Sequence, residues 1–571
     1  MVYKLLAWLA LTAIEHFKDI ISDTPLDSPT ISLSYGTVQG STQSDVSSFL
    51  GIPYAQPPLG DLRFTPPQPP QAFDGIRQAT NFSPACPQQN LTFSGALPFD
   101  IPIPIYGESM SEDCLYIYVY KPATARSNAK LPVVFHSISR RLYCSIGAYE
   151  MGDAALYPGT AMVKRSIALG EPVIFVSHNY RLNAFGFLAS QEVIDAGHTN
   201  IGMRDQRFAL EWVQHHISAF GGDPNKVIIW GFSAGSWSVG FHLVLNGGDN
   251  QGLFRGAVME SGSTITLRNY TDAQPFYNVL VEHVGCTGEP DTLACLRHAP
   301  YDKIMAGVNA TPDATGYRSL DMAWQPRLDG DMFVGNPMRS VQMGLYAKVP
   351  LISGVTGDEG TLFSLGNKNI TTDEQFLEYV HSTYIPAATA SDLEEVSKAY
   401  SSAPGEGSPF GTGDLYTLTP QFKRIAAFTG DWMFVAPHRF LVEQMSKTQD
   451  VWAYLFNRMK STPFLGSLHA SDVTEFFGNS SVFSLSADRY IDFAATDAII
   501  NFATHLNPNA PAGLLSNMSF LSKVTWDKWS EGSDSHKFLT FMDPAPSLGL
   551  SYDMYRADSL ALLNRIALDM P

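Results

Sequence analysis

The stretch VIIWGFSAGSWSVG, residues 227–240, constrains the fold of this chain more than any other. Residues 227–230 form a short apolar run rich in β-branched side chains, the composition of a buried strand. Gly231 ends the run, and small residues after Phe232 open a helical pattern. A strand that passes through a tight turn straight into a helix belongs to an α/β sheet. In that turn Gly231-Phe232-Ser233-Ala234-Gly235 matches G-x-S-x-G in the context that gives the pattern chemical meaning. The elbow is sterically crowded and partly left-handed, hence the flanking glycines. It lifts the serine hydroxyl to the helix N-terminus and turns the Ala234 N–H toward a developing oxyanion. A glycine-rich helix start without chemistry is the plainer reading. The strand and helix on either side favour a nucleophile at Ser233.

A serine nucleophile needs a base, and the base needs an orienting acid. On this architecture both follow the serine, the acid first and the histidine last. A strand-like segment at 349–353 leads into GVTGDEGTLF, where Asp358 and Glu359 stand side by side. Spacing alone does not choose between them. Further on, FLGSLHASDVTEFFG sets His469 in a small-residue loop before a helical stretch. Singly, a loop carboxylate is usually solvated and a lone histidine usually structural. In this order, each at the end of an element, they make a triad.

The rest of the chain agrees with an α/β sheet, largely parallel at its centre. Strand-like runs at 115–120, 131–135, 173–177, 227–230 and 257–259 alternate with helical patterns, among them DQRFALEWVQHHISAF at 205–220. A long, mostly helical insert precedes 349–353, and no internal repeat is present. The proline-rich stretch 53–70 carries aromatic and aliphatic residues, which favours an ordered, proline-stiffened surface segment over a linker. The net charge of −18 repels phosphate backbones, so nucleic acid is not an expected partner.

Several features point to export. One lysine precedes a ten-residue apolar run from Leu5 to Ile14, too short to span a bilayer and the length of a secretory core, so residues 1–20 read as a signal peptide. No other run is long enough for a transmembrane anchor. Seven N-x-S/T sequons begin at Asn81, Asn90, Asn269, Asn309, Asn369, Asn479 and Asn517. Of five cysteines, Cys86 with Cys114 and Cys286 with Cys295 are the economical pairs, leaving Cys144 odd, although spacing does not prove connectivity. Between Cys86 and Cys114 the loop has no lysine or arginine and carries Leu97, Phe99, Ile101, Ile103 and Ile105 among prolines. It reads either as a packed surface loop or as an apolar flap tied at its base.

The chain resembles the type-B carboxylesterase/lipase family of α/β-hydrolases, and within it the secreted fungal lipases most. The resemblance runs from about Tyr35 and rests on FLGIPYAQPPLGDLRF (49–64), SEDCLYIYVY (111–120), NYRLNAFGFLAS (179–190), DQRFALEWV (205–213), FGGDPNKV (220–227), the elbow, GDEGTLF (357–363), TPQFKRI (419–425) and LHASDV (468–473). It implies one domain over residues 30–565, with a mostly parallel central sheet flanked by helices, large helical insertions and a Cys-tethered flap loop. It makes Ser233 the nucleophile, His469 the base and Glu359 the acid, with Ala234 an oxyanion donor. It also implies the Cys86–Cys114 and Cys286–Cys295 bridges. The substrate class it implies is a carboxylic ester with an apolar acyl chain, met at a lipid–water interface in the case of a lipase. The implied site is extracellular, and no metal or organic cofactor is called for.

Two departures stand out. Phe232 occupies a position where the family usually has Glu, a change of packing more than of attack. The family's glycine run after the strand at 131–135 is replaced by HSISRRLYCS, residues 136–145, before the expected loop resumes with IGAYEMG. Glycine belongs there because the backbone must approach the substrate without a Cβ in the way. The segment is either a real divergence that removes part of the oxyanion site or a local error in the translated sequence; its intact flanks and odd cysteine favour the error, and a transcript read decides it. A non-catalytic binding protein on the same scaffold is the alternative function, and the intact triad weighs against it.

Overall fold

A computed structural model describes residues 28–92, 109–137, 147–479, 490–515, 517–530 and 536–570. The signal-peptide reading, most of the flap between the first two cysteines, and residues 138–146 with Cys144 lie outside them.

The strands are β1 Thr30–Leu33, β2 Gly36–Gln39, β3 Ser41–Gln43, β4 Val46–Pro53, β5 Ile76–Gln78, β6 Tyr116–Pro122, β7 Leu131–Ser137, β8 Ile174–His178, β9 Gly222–Phe232, β10 Gly256–Glu260, β11 Leu351–Thr356, β12 Val451–Asn457, β13 Lys537–Met542 and β14 Leu548–Tyr552. Among the described residues, β1, β2 and β5 form a small sheet. The other eleven make one large sheet in the order β3-β4-β6-β8-β7-β9-β10-β11-β12-β13-β14. From β8 to β13 every neighbouring pair is parallel, and the edges at β3-β4-β6-β8 and β13-β14 are antiparallel. The expected parallel centre is therefore present, and the strand at 227–230 belongs to β9, the sixth of the eleven strands.

Every residue of β8, β10 and β11 is buried, which is why these strands read as continuous apolar runs and not as alternations. Successive side chains still take opposite faces. Val227, Ile229, Ala257 and Met259 enter one core, with Trp212, Trp237 and Phe434; Ile228, Trp230, Val258 and Trp452 enter the other, with Phe476, Ala495 and Phe502. The amphipathic stretch at 205–220 is helix Ile201–His216 continued by a 3₁₀ turn, Ile217–Phe220. It begins earlier than expected because left-handed Asn200 spends its side chain on Arg327 and Asp329, so the preceding turn ends there.

Two arginines in the stretches that carry the resemblance are structural. Arg181 forms a two-pronged buried pair with Asp205, at 2.8 and 2.6 Å, joining NYRLNAFGF to DQRFALEWV. Arg63 does the same with Glu112, at 2.6 Å on both prongs, and fastens the proline-rich segment beside Cys114. The disulfides Cys86–Cys114 and Cys286–Cys295 are both formed.

Candidate active site

The elbow sits where β9 ends and helix Ala234–Val244 begins. Ser233 holds φ 55° and ψ −125°, a sparsely populated conformation for a residue with a Cβ, and its own N–H donates to Glu260 O at 2.9 Å. The strain is on the serine. Gly231 and Gly235 answer to crowding alone: a Cβ on Gly231 would lie 2.1 Å from Gly235 O, and one on Gly235 would lie 2.3 Å from Ser137 O. The end of β7 thus presses directly against the elbow.

His469 lies in the loop after β12, with its Nε2 2.8 Å from Ser233 Oγ and its Nδ1 2.5 Å from Glu359 Oε2. All three side chains are buried. Glu359 accepts Thr356 N–H at 2.6 Å on its other oxygen. An ionised carboxylate only accepts, so Nδ1 carries the imidazole proton and Nε2 is free to accept the serine hydroxyl.

The neighbouring Asp358 does different work. Its carboxylate accepts from Lys460 Nζ at 2.6 Å, Phe410 N and Ser467 N at 2.8 Å, and Ser408 Oγ at 3.1 Å. It pins the loop carrying His469, while Glu359 orients the ring. Both followed from GDEG as candidates, and the geometry separates them.

Aromatic rings enclose the imidazole: Phe232 at 4.8 Å between centroids, Phe434 at 4.7 Å and Phe363 at 5.1 Å. Phe232, at the elbow position singled out in the sequence, lies against the His469 imidazole itself. Phe434 is presented by a π-helical turn, Asp431–Val435, a form that recurs at functional sites. Asp431 is anchored by Arg556 at 2.6 and 2.8 Å and by the Tyr400 hydroxyl at 3.0 Å. Sequence reasoning missed Phe363, Phe434 and this anchor, because nothing local marks a π-helical turn.

His136 and Ser137, the first residues of the glycine-poor segment, complete β7 and are buried. His136 packs against Trp230 at 4.4 Å and Phe477 at 5.0 Å, and burial holds it well below the usual histidine range, so it is neutral core. Beyond the segment, Ala148 and Tyr149 hold φ of 50° and 58°. Two consecutive left-handed residues, neither of them glycine, form the centre of a tight turn that Glu150 N–H closes on Gly147 O at 2.9 Å. The signal available in sequence was the resumption IGAYEMG.

Ala234 N–H, as the first of the elbow helix, has no intrahelical partner. A serine on a strand–helix elbow, relayed through histidine to a buried glutamate at the end of a parallel sheet, defines a serine hydrolase of the α/β type.

The model of the carboxylesterase family matches residues 27–551. The chain is 36% identical to secreted triacylglycerol lipase LIP1 of Gibberella zeae, over 93% of this chain and 89% of the relative. It is also 36% identical to lipase 2 of Geotrichum candidum, over 86% and 88%. The crystal structure of Aspergillus niger EstA superposes with a TM-score of 0.79 at 30% identity, covering 95% of this chain and 98% of that one. The chain belongs to the carboxylesterase family and is a carboxylic ester hydrolase. No described helix is long and apolar enough to cross a membrane.

Proposed function

We propose that this chain is a secreted lipase-like esterase, with Ser233 as nucleophile, His469 as base and Glu359 as acid. The observation that carries the reading is the continuous relay Glu359–His469–Ser233, with contacts of 2.5 and 2.8 Å on the strained elbow. Ser233 Oγ attacks the ester carbonyl as His469 Nε2 takes its proton. Glu359 stabilises the imidazolium that forms. The tetrahedral oxyanion is held by the Ala234 N–H at the start of the elbow helix. Collapse breaks the C–O bond, and His469 returns the proton to the leaving alcohol. Water then attacks the acyl-enzyme by the same route in reverse, restoring Ser233 and releasing the acid.

Phe232, Phe363 and Phe434 wall the base with buried apolar surface and shield it from water. The names of the relatives support lipid esters as substrates and export as destination. Six of the seven sequon asparagines are exposed and Asn479 is half-buried, in keeping with a glycosylated, secreted chain. A sheet running from Ser41 to Tyr552 supports residues 30–565 as one domain. Hydrolysis of p-nitrophenyl esters of increasing chain length, in solution and in emulsion, tests the substrate. The reading requires preference for medium or long chains and a rate jump at the interface. Equal or better turnover of acetate with no jump would make the chain a soluble esterase.

A further inference from the structure

We propose that Tyr149 is a positioning residue for the oxyanion site, its hydroxyl locking the left-handed loop to the elbow through Ser238; this rests on the reading of the site given above. Tyr149 is buried, its ring 4.8 Å from Phe187 and 6.3 Å from Trp237, and its carbonyl accepts Asn183 N–H at 2.7 Å. Its hydroxyl lies 3.2 Å from Oγ of Ser238, one turn into the elbow helix.

The bonding around Ser238 leaves one arrangement. A serine hydroxyl has one proton and two lone pairs. Ser238 Oγ is 2.9 Å from Ala234 O, which only accepts, so the proton goes there. The Gln206 side-chain amide donates at 3.2 Å. Tyr149 fills the remaining lone pair and is therefore the donor. Burial raises its phenol well above the usual value, so it keeps that proton. Gln206 is held in turn by His242, whose Nε2 is 3.1 Å from Gln206 Oε1. Burial pulls His242 down to about 3, so it is neutral and donates from Nε2. The chain of groups carries no charge and does not rearrange near neutral pH.

Its consequence is geometric. Ser238 bonds the carbonyl of Ala234, the residue whose N–H the elbow offers to the oxyanion. Tyr149 belongs to the left-handed turn after β7, closed by Glu150 N–H donating to Gly147 O at 2.9 Å. One hydroxyl therefore joins the two pieces of backbone. Ala148 and Tyr149 sit at φ values that persist only where their surroundings over-determine them. The Tyr149–Ser238 bond supplies a directional constraint of that kind, while ring packing permits sliding. Phenylalanine keeps the ring and removes the bond to Ser238.

The test uses the full chain and four proteins: wild type, Tyr149→Phe, Ser238→Ala and the double variant, with Ser233→Ala as control. Readouts are kcat and KM on p-nitrophenyl butyrate, affinity for an alkyl trifluoromethyl ketone that forms the tetrahedral adduct, and the thermal midpoint. Tyr149→Phe is expected to lower kcat roughly tenfold, less than the 10²–10³ of losing a donor outright. Trifluoromethyl ketone affinity should fall by the same factor, with KM and the thermal midpoint unchanged. The double variant should be no worse than Ser238→Ala, because both act through one bond. Wild-type kcat and ketone affinity in Tyr149→Phe would overturn the proposal, as would a loss confined to KM or to the thermal midpoint. If Ser233→Ala retains activity, the reading of the site falls, and this proposal with it. If Ser233→Ala is dead and Tyr149→Phe is normal, the bridge alone is wrong.

Discussion

At the residue scale, two adjacent carboxylates divide one task. Glu359 touches the imidazole and Asp358 holds the loop that carries it. Glu359→Gln keeps the shape but removes the charge that fixes the tautomer, and should lower kcat by about 10³–10⁴-fold. Asp358→Asn should leave most of kcat and cost about 2–3 kcal/mol of stability, since charge-assisted bonds to a buried carboxylate are lost. Urea unfolding and steady-state kinetics on the two variants check this together. Equal losses of kcat in both would contradict the division of labour. From sequence the pair was legible only as a pair: GDEG placed both carboxylates in the right turn, and the resemblance, not the spacing, chose Glu359. The choice depends on which side chain meets a loop some hundred residues further on, and local pattern does not encode that contact.

At the scale of elements, the elbow depends on close approach more than on backbone freedom. Gly235→Ala would set a Cβ 2.3 Å from Ser137 O, forcing β7 and helix Ala234–Val244 apart. The expected outcome is loss of ester hydrolysis with a lowered thermal midpoint; a soluble, fully active Gly235→Ala protein would contradict the packing described. The central strands were readable because buried parallel strands are written as uninterrupted β-branched runs. Their ends were less so: β9 starts at Gly222, through a polar DPNK stretch that no apolar pattern marks. The π-helical turn that brings Phe434 to His469 left no trace in sequence, since its first residue, Asp431, is held by half-buried Arg556 from a distant segment. The glycine-poor segment drew attention to residues 136–145, yet the left-handed backbone lies just after them, at Ala148 and Tyr149.

For the whole molecule, both cores contain imidazoles withdrawn from water. Burial brings His178, His242 and His438 down to about 3 and holds His136 well below its usual range. Each is neutral when folded and binds a proton once unfolded below about pH 6.5. The stability they contribute is present above that value and is lost as pH falls toward 3. Glu150 acts in the opposite sense: burial raises its carboxyl well above the usual range, so its contribution is full below about pH 4.5 and is lost as pH rises through the folded value. Burial raises Asp497 and Asp553 in the same sense as Glu150, but less, and four histidines outweigh these three carboxyls, so the urea midpoint should fall steadily from pH 6.5 to 4. A midpoint flat across that window would contradict the burial assigned to them.

The central claim is that Ser233 forms the acyl-enzyme, and covalent labelling tests it most directly. An alkyl fluorophosphonate traps an activated serine, displacing fluoride as a phosphorus–oxygen bond forms. Peptide mapping by mass spectrometry after stoichiometric labelling should find the adduct on Ser233 alone, with none in Ser233→Ala and little in His469→Ala. An adduct on another serine, or an active protein that takes up no label, would contradict the account.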